Sequence, residues 1–198
     1  MRRVVSRSRA ALAALLSLWV GLGSSAHAHP VGNERYSLLH AAQLDEGGQL
    51  TLVTILEVPM MATLREVAAR MEGQPDREAV VEAYTADQCA KLAAGLTVEI
   101  HGEAVEGTWK PMDDPRNGKL IEAFFTYLVA FEPARPVKVR SKPLDVVIRN
   151  TSYSDVDVVY ASRVEASPPW FVASRNVPHG EWSDEPSWRN LTARFERL

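Results

Sequence analysis

Two histidines stand close together near the start of the chain, in the stretch SSAHAHPVGN at positions 24–33. A chain whose first residue is histidine offers a metal ion both its α-amine and its imidazole, which together form a chelate. If the chain is cut after Ala28, His29 supplies both donors, and one further histidine would complete a T-shaped copper site. If the cut falls after Ala26, His27 comes first and His29 third, an arrangement that binds Cu(II) or Ni(II) in a plane.

A proline directly after His29 restricts the chemistry of the first alternative. Pro30 has no N–H, so a chain that begins at His29 cannot use the amide of its second residue as a planar ligand. The terminal chelate does not need this amide. The same residues also form a boundary of small and polar residues that signal peptidase accepts, and this simpler alternative stays open.

Three further histidines could contribute to a metal site. His40 falls on the same face of a predicted strand as Tyr36 and Leu38, where it is either a metal ligand or a hydrogen-bonded core residue. His101 is predicted on a solvent-facing surface of a strand, and His179 lies in the C-terminal tail. None of these three has the spacing of a preformed ligand pair.

The sequence indicates no catalytic chemistry. The patterns G-x-S-x-G, H-E-x-x-H and C-x-x-C and a glycine-rich phosphate loop do not occur, and we expect no enzyme. Cys89 is the single cysteine and is predicted to be a small buried hydrophobic residue. The acidic pairs Asp113–Asp114 and Asp155–Asp157 are predicted to be solvated, because the loop pattern of a calcium site does not accompany them.

Residues 1–28 have the three parts of a secretory signal peptide. Four arginines open the segment, the apolar run ALAALLSLWVGLG follows, and small residues close it. This run is shorter than the roughly 20 residues that a membrane-spanning helix needs. We therefore expect an exported protein, located in a bacterial periplasm and not inserted in the membrane after cleavage.

Removal of this leader leaves a chain long enough for one domain with a sizeable core. With the loss of its four arginines, the formal net charge changes from -3 to -7. An acidic chain without a basic cluster does not favour nucleic acid or anionic lipid as a partner. Oligomeric state does not follow from the composition.

Most of the mature chain has the pattern of short β-strands. Runs rich in β-branched and aromatic residues alternate with turn residues at 35–44, 49–58, 96–101, 119–131, 136–140, 144–149 and 155–166. The run 120–131 is apolar on both faces and is therefore predicted to be a central strand. We predict a mainly-β, antiparallel β-sandwich.

Two helices are predicted as an insertion between Pro59 and Gly95. Good helix formers dominate this region, with Asp76 placed as an N-cap and Gly95 as a C-cap. The β-sandwich domain then covers residues 29–167, including the insertion at about 59–95. Residues 168–198, which contain several tryptophans and prolines, are predicted to wrap around the domain as an irregular tail that ends in a short helix.

Three stretches of the sequence resemble a known family. HPVGNERYS at the mature start, TILEVPMMATLRE and VVIRNTSYSDVDVVYASRVEAS resemble the extracytoplasmic N-terminal region of bacterial nickel and cobalt permease or exporter proteins. In that family the leader ends in His-Pro-Leu-Gly-Asn, and here Val31 replaces the leucine. Those proteins continue into membrane helices with His-rich segments, so transport itself is not expected within this chain.

The resemblance and the terminal histidines together predict a metal-handling protein. It would bind a nickel, cobalt or copper ion through His29 or His27, with His40 as a further candidate ligand, and would assist a polytopic membrane transporter. The alternative is a metal-free β-sandwich interaction module that docks on a membrane or periplasmic partner.

Overall fold

The computed structural model describes residues 35–139 and 142–198, all within a unit that begins at Val31. The leader at residues 1–28 and the candidate ligands His27 and His29 lie outside the described residues. Within them the chain forms two β-sheets and two α-helices, so the predicted mainly-β fold with a helical insertion is confirmed.

Eleven β-strands are present in the described residues. In chain order they are β1 (Tyr36–Leu44), β2 (Leu50–Pro59), β3 (Leu96–Ile100), β4 (Glu103–Ala104), β5 (Gly107–Pro111), β6 (Lys119–Ile121), β7 (Phe124–Pro133), β8 (Leu144–Asn150), β9 (Val158–Ala166), β10 (Trp170–Arg175) and β11 (Leu191–Arg197). The first sheet has the order β5-β7-β2-β1-β9, with β6 also paired to β7, and the second has the order β10-β11-β8-β3-β4. The pairing is antiparallel except between β1 and β9, which run parallel.

The two helices occupy the predicted insertion. Helix α1 spans Met60–Met71, and α2 spans Arg77–Ala94. The predicted caps are confirmed: the carboxylate of Asp76 accepts a hydrogen bond from the amide of Ala79 at 3.0 Å, and the amide of Gly95 donates to the carbonyl of Leu92 at 3.2 Å. An N-cap carboxylate and a C-cap glycine satisfy helix-end groups that would otherwise lack partners.

Both sheets contribute to one hydrophobic core. Leu38 and Leu56 of the first sheet and Ile148 and Phe195 of the second are fully buried in the same cluster. Strand alternation places one side of each sheet inward, and burial of these large apolar side chains is the main stabilising term of such a fold. The helices add Val67, Tyr84, Cys89 and Leu92 to this core.

The run 120–131 is not one strand, although its central position is confirmed. Glu122 has a positive φ of 56° and helps the chain to turn between β6 and β7. Leu120 and Ile121 before the turn are 46% and 40% exposed, whereas Tyr127 and Leu128 on opposite faces of β7 are 1% exposed. Strand β7 therefore has the two buried faces that the sequence indicated, and β6 does not.

The prediction of an irregular C-terminal tail with a terminal helix is wrong. Residues Trp170–Arg175 and Leu191–Arg197 form β10 and β11, and β11 lies between β10 and β8 inside the second sheet. Leu191, Ala193 and Phe195 point into the core, with 0–1% of each exposed. A short 3-10 helix at Pro186–Arg189 precedes β11. The domain therefore extends to the C-terminal strand.

The predicted strand at 136–140 is also not found among the described residues of that stretch. Lys138 forms only an isolated bridge with Gln49. Two prolines lie close by, at Pro133 and Pro136, and proline cannot donate a ladder hydrogen bond.

Candidate functional site

His40 shares a face of β1 with Leu38 and Ala42 of the hydrophobic core. It is fully buried in the middle of β1. Its Nδ1 lies 2.9 Å from Oγ1 of Thr54 on β2, and its Nε2 lies 2.9 Å from the carbonyl oxygen of Arg189 in the 3-10 helix. A carbonyl oxygen only accepts, so Nε2 carries the proton and Nδ1 accepts from the threonine hydroxyl.

These contacts give His40 the role of a hydrogen-bonded core residue, which was one of the two roles that its sequence position allowed. Burial lowers its pKa to about 4, so the imidazole is neutral at neutral pH. As a metal ligand, His40 would have to give up one of its two hydrogen bonds. In the described structure both nitrogens form hydrogen bonds. The bond to the carbonyl of Arg189 connects the C-terminal part of the chain to β1.

The two hydrogen-bond partners of His40 do not include either of the other described histidines. His101 stands in the turn between β3 and β4, half exposed, with Nδ1 3.5 Å from the carboxylate of Asp145. His179 is exposed and forms an isolated bridge with Ser162 beside β9. Among residues 35–139 and 142–198, no group of three or more His, Cys, Asp or Glu side chains could hold a metal ion.

Acidic side chains surround the residue at which the described chain begins. Arg35 donates to Asp157 at 2.5 Å and to Asp184 at 3.3 Å, and these two carboxylates are 66% and 68% exposed. Asp155 and Glu185 are exposed close by in sequence. The solvated position predicted for Asp155 and Asp157 is confirmed, and this part of the domain surface is negatively charged.

In the pair Asp113–Asp114, Asp113 is exposed as predicted, whereas the prediction of a solvated side chain is wrong for Asp114. The side chain of Asp114 is completely buried and accepts two hydrogen bonds from the guanidinium of Arg116, at 2.7 and 3.0 Å. This pairing lowers the pKa of Asp114 despite its burial. Arg116 lies only two residues from Asp114, so the ion pair between these two side chains stabilises the conformation of the loop between β5 and β6.

Cys89 is a buried core residue, as predicted. Its Sγ lies 3.5 Å from Oδ1 of Asn117, and burial raises the pKa of the thiol. A thiol with a raised pKa is a poor nucleophile at neutral pH. Tyr84 and Tyr127 pack nearby with their rings 6.2 Å apart, and together they anchor α2 to the first sheet.

A groove that sequence patterns did not indicate lies where the two sheets meet. It has a volume of about 720 Å³ and is lined by the hairpin of β3 and β4 and by the segment that follows β7. Its ionisable lining residues are His101, Glu103, Glu106 and Arg135. About thirty residues separate the two parts of this lining in sequence, and neither contains a recognised motif, so only the folded chain brings them together.

No family model matches this chain, and no curated protein matches it. Within the described residues, no helix is long and apolar enough to cross a membrane.

Proposed function

We propose that this protein is an exported β-sandwich domain that binds a nickel, cobalt or copper ion through its mature N-terminal histidine and assists a polytopic membrane transporter. The observation that carries this proposal is the sequence AHAHPVGN at positions 26–33, where either predicted cut leaves a histidine first. The resemblance to nickel and cobalt permease or exporter proteins starts at the same residues. A periplasmic location follows from the proposed leader.

The described fold supports this proposal in two ways. The imidazole of His40 is already engaged on both sides, which leaves the terminal histidines as the stronger candidates. The surface around Arg35, six residues after His29 in sequence, carries the exposed carboxylates of Asp157 and Asp184, which both pair with Arg35 and together leave one net negative charge. A surface of this sign raises the local concentration of cations.

The test is a metal titration of three forms of the protein in one buffer. The first form begins at His29, the second carries one additional N-terminal methionine, and the third begins at residue 29 with His29→Ala. The added methionine converts the α-amine of His29 into an amide and leaves its imidazole intact. We expect the first form to bind Cu(II) or Ni(II) at least about tenfold more tightly than the other two, a difference of about 1.4 kcal/mol.

The pH dependence provides a second readout of the same chelate. The ordinary pKa values are near 8 for an α-amine and near 6.5 for an imidazole, and both groups must lose their protons to bind the metal. Affinity should therefore fall steeply below about pH 6. Equal binding by all three forms, or binding weaker than about 1 μM by the first, would contradict the proposal.

The second candidate function is an interaction module without a metal. Exposed apolar side chains favour it: Met61 and Leu64 on α1 are 64% and 44% exposed, and Leu120 and Ile121 lie exposed on β6. A hydrogen bond from the amide of Met60 to the carbonyl of Ala123 joins the start of α1 to the turn after β6. Exposed apolar side chains that gather on one side of a domain often mark a protein contact.

A further inference from the structure

We propose that the groove between the β3–β4 hairpin and the segment after β7 binds a zwitterionic ligand with an apolar body, of about the size of a dipeptide. The ligand's ammonium group would face the carboxylates of Glu103 and Glu106, and its carboxylate would face the guanidinium of Arg135.

Backbone geometry builds the groove. His101 and Gly102 have positive φ values of 54° and 79°, which turn the chain sharply so that β4 returns beside β3. The chain then crosses towards the first sheet, where the amide of Ala134 donates to the carbonyl of Glu106 at 2.8 Å. This bond fixes the segment containing Arg135 beside the end of the hairpin. The resulting volume of about 720 Å³ lies in the range of small-molecule sites.

The charged groups on the groove have opposite signs. Within the described part of the chain, Glu103, Glu106 and Arg135 form no ion pair, whereas Nδ1 of His101 lies 3.5 Å from the carboxylate of Asp145. A ligand that carries both charges can pair with both kinds of group through charge-assisted hydrogen bonds. A metal cation fits less well, because the guanidinium of Arg135 would repel it.

The remaining lining of the groove is apolar. Ile100, Val105 and Val137 are half-buried there, and Ala104 and Ala134 complete the surface. These side chains can cover an aliphatic group of the ligand but cannot hydrogen-bond to it. The combination of an apolar floor with few charged groups favours a ligand with an aliphatic side chain and charged ends.

The experiment is a calorimetric titration of the full chain with three probes: leucyl-leucine, its N-acetyl derivative and its C-terminal amide. The two derivatives each lack one of the charges and keep the same apolar side chains. We expect the unmodified dipeptide to bind at least about tenfold more tightly than either derivative, which corresponds to the loss of one charge-assisted contact.

Variants assign each charge to its partner. In Arg135→Gln, amidation of the dipeptide should no longer weaken binding, whereas acetylation still should. In the double variant Glu103→Gln and Glu106→Gln, acetylation of the dipeptide should no longer weaken binding, whereas amidation still should. Arg175→Gln, which removes an exposed arginine on β10, is the matched control and should bind all three probes like the unaltered chain.

Two outcomes would overturn the proposal. One is equal binding of the three probes by the unaltered chain, which would show that neither charge is recognised. The other is binding of the dipeptide weaker than about 10 mM. All the substitutions are at exposed positions, so circular dichroism of each variant should match that of the unaltered chain and would exclude misfolding as the cause of any loss.

Discussion

At the scale of one residue, His40 shows that a position in the sequence can be compatible with two roles, here a metal ligand and a hydrogen-bonded core residue. Its alternation with Tyr36 and Leu38 correctly placed it on the inner face of β1. The sequence could not show its partners, because the carbonyl of Arg189 lies 149 residues away along the chain. A buried imidazole needs such partners, and only the folded chain decides whether protein groups or a metal provide them.

The low pKa of His40 predicts a specific loss of stability in acid. In the unfolded chain the imidazole takes up a proton near pH 6.5, whereas in the folded chain it does so only near pH 4. The contribution of the neutral His40 side chain to the free energy of unfolding is therefore fully present above pH 6.5. It declines as the pH falls from 6.5 to 4, and below pH 4 no further loss is expected from this residue. The expected loss from this residue is about 3 kcal/mol.

His40→Gln isolates this contribution, because glutamine can hydrogen-bond but does not titrate. We expect the variant to be less stable than the unaltered chain at pH 7. Urea unfolding at pH 7 and at pH 4 should show that the difference between the two proteins shrinks by about 3 kcal/mol in acid. A difference that stays constant between the two pH values would show that His40 is not kept neutral by the fold.

At the scale of elements, the helices were predictable and the C-terminal strands were not. Helices α1 and α2 have local start and stop signals, such as the cap at Asp76, and the structure uses them. Strand β11 has the sequence LTARFER, in which Leu191 and Phe195 are four residues apart and the residues between them include good helix formers. This spacing suits a helix as well as a strand, and pairing with the distant β8 decides between them.

The strand β11 offers a test with its own control. Phe195→Asp would place a charge without a partner at a position that is fully buried, whereas Thr192→Asp changes an exposed position on the same strand. We expect Phe195→Asp to cost several kcal/mol, a large part of a total stability of about 5 to 15 kcal/mol. Thr192→Asp should change stability by about 0.5 kcal/mol or less.

Urea unfolding of both variants measures this difference directly. Similar stabilities for the two would contradict the placement of β11 in the second sheet. They would favour the peripheral tail that the sequence alone had suggested.

At the scale of the whole molecule, the sequence predicted the class of fold and missed the groove. Alternating runs and turn residues indicate strands and their inward faces, because these features are local. The pairing of β1 with β9 in parallel and the meeting of residues 100–106 with 134–137 depend on the complete topology. The candidate metal ligands His27 and His29 were proposed from residue order alone, and they stay a prediction.

The central claim is that removal of the leader creates a metal-binding N-terminus. Native mass spectrometry of the exported protein, isolated in the presence of Cu(II), tests it most directly, because one spectrum reports both the first residue and the bound metal. We predict a chain that begins at His29 or His27 and retains one copper ion, and an exported His29→Ala variant that retains much less. A chain that still begins at Met1, or copper retention equal to that of His29→Ala, would contradict the claim.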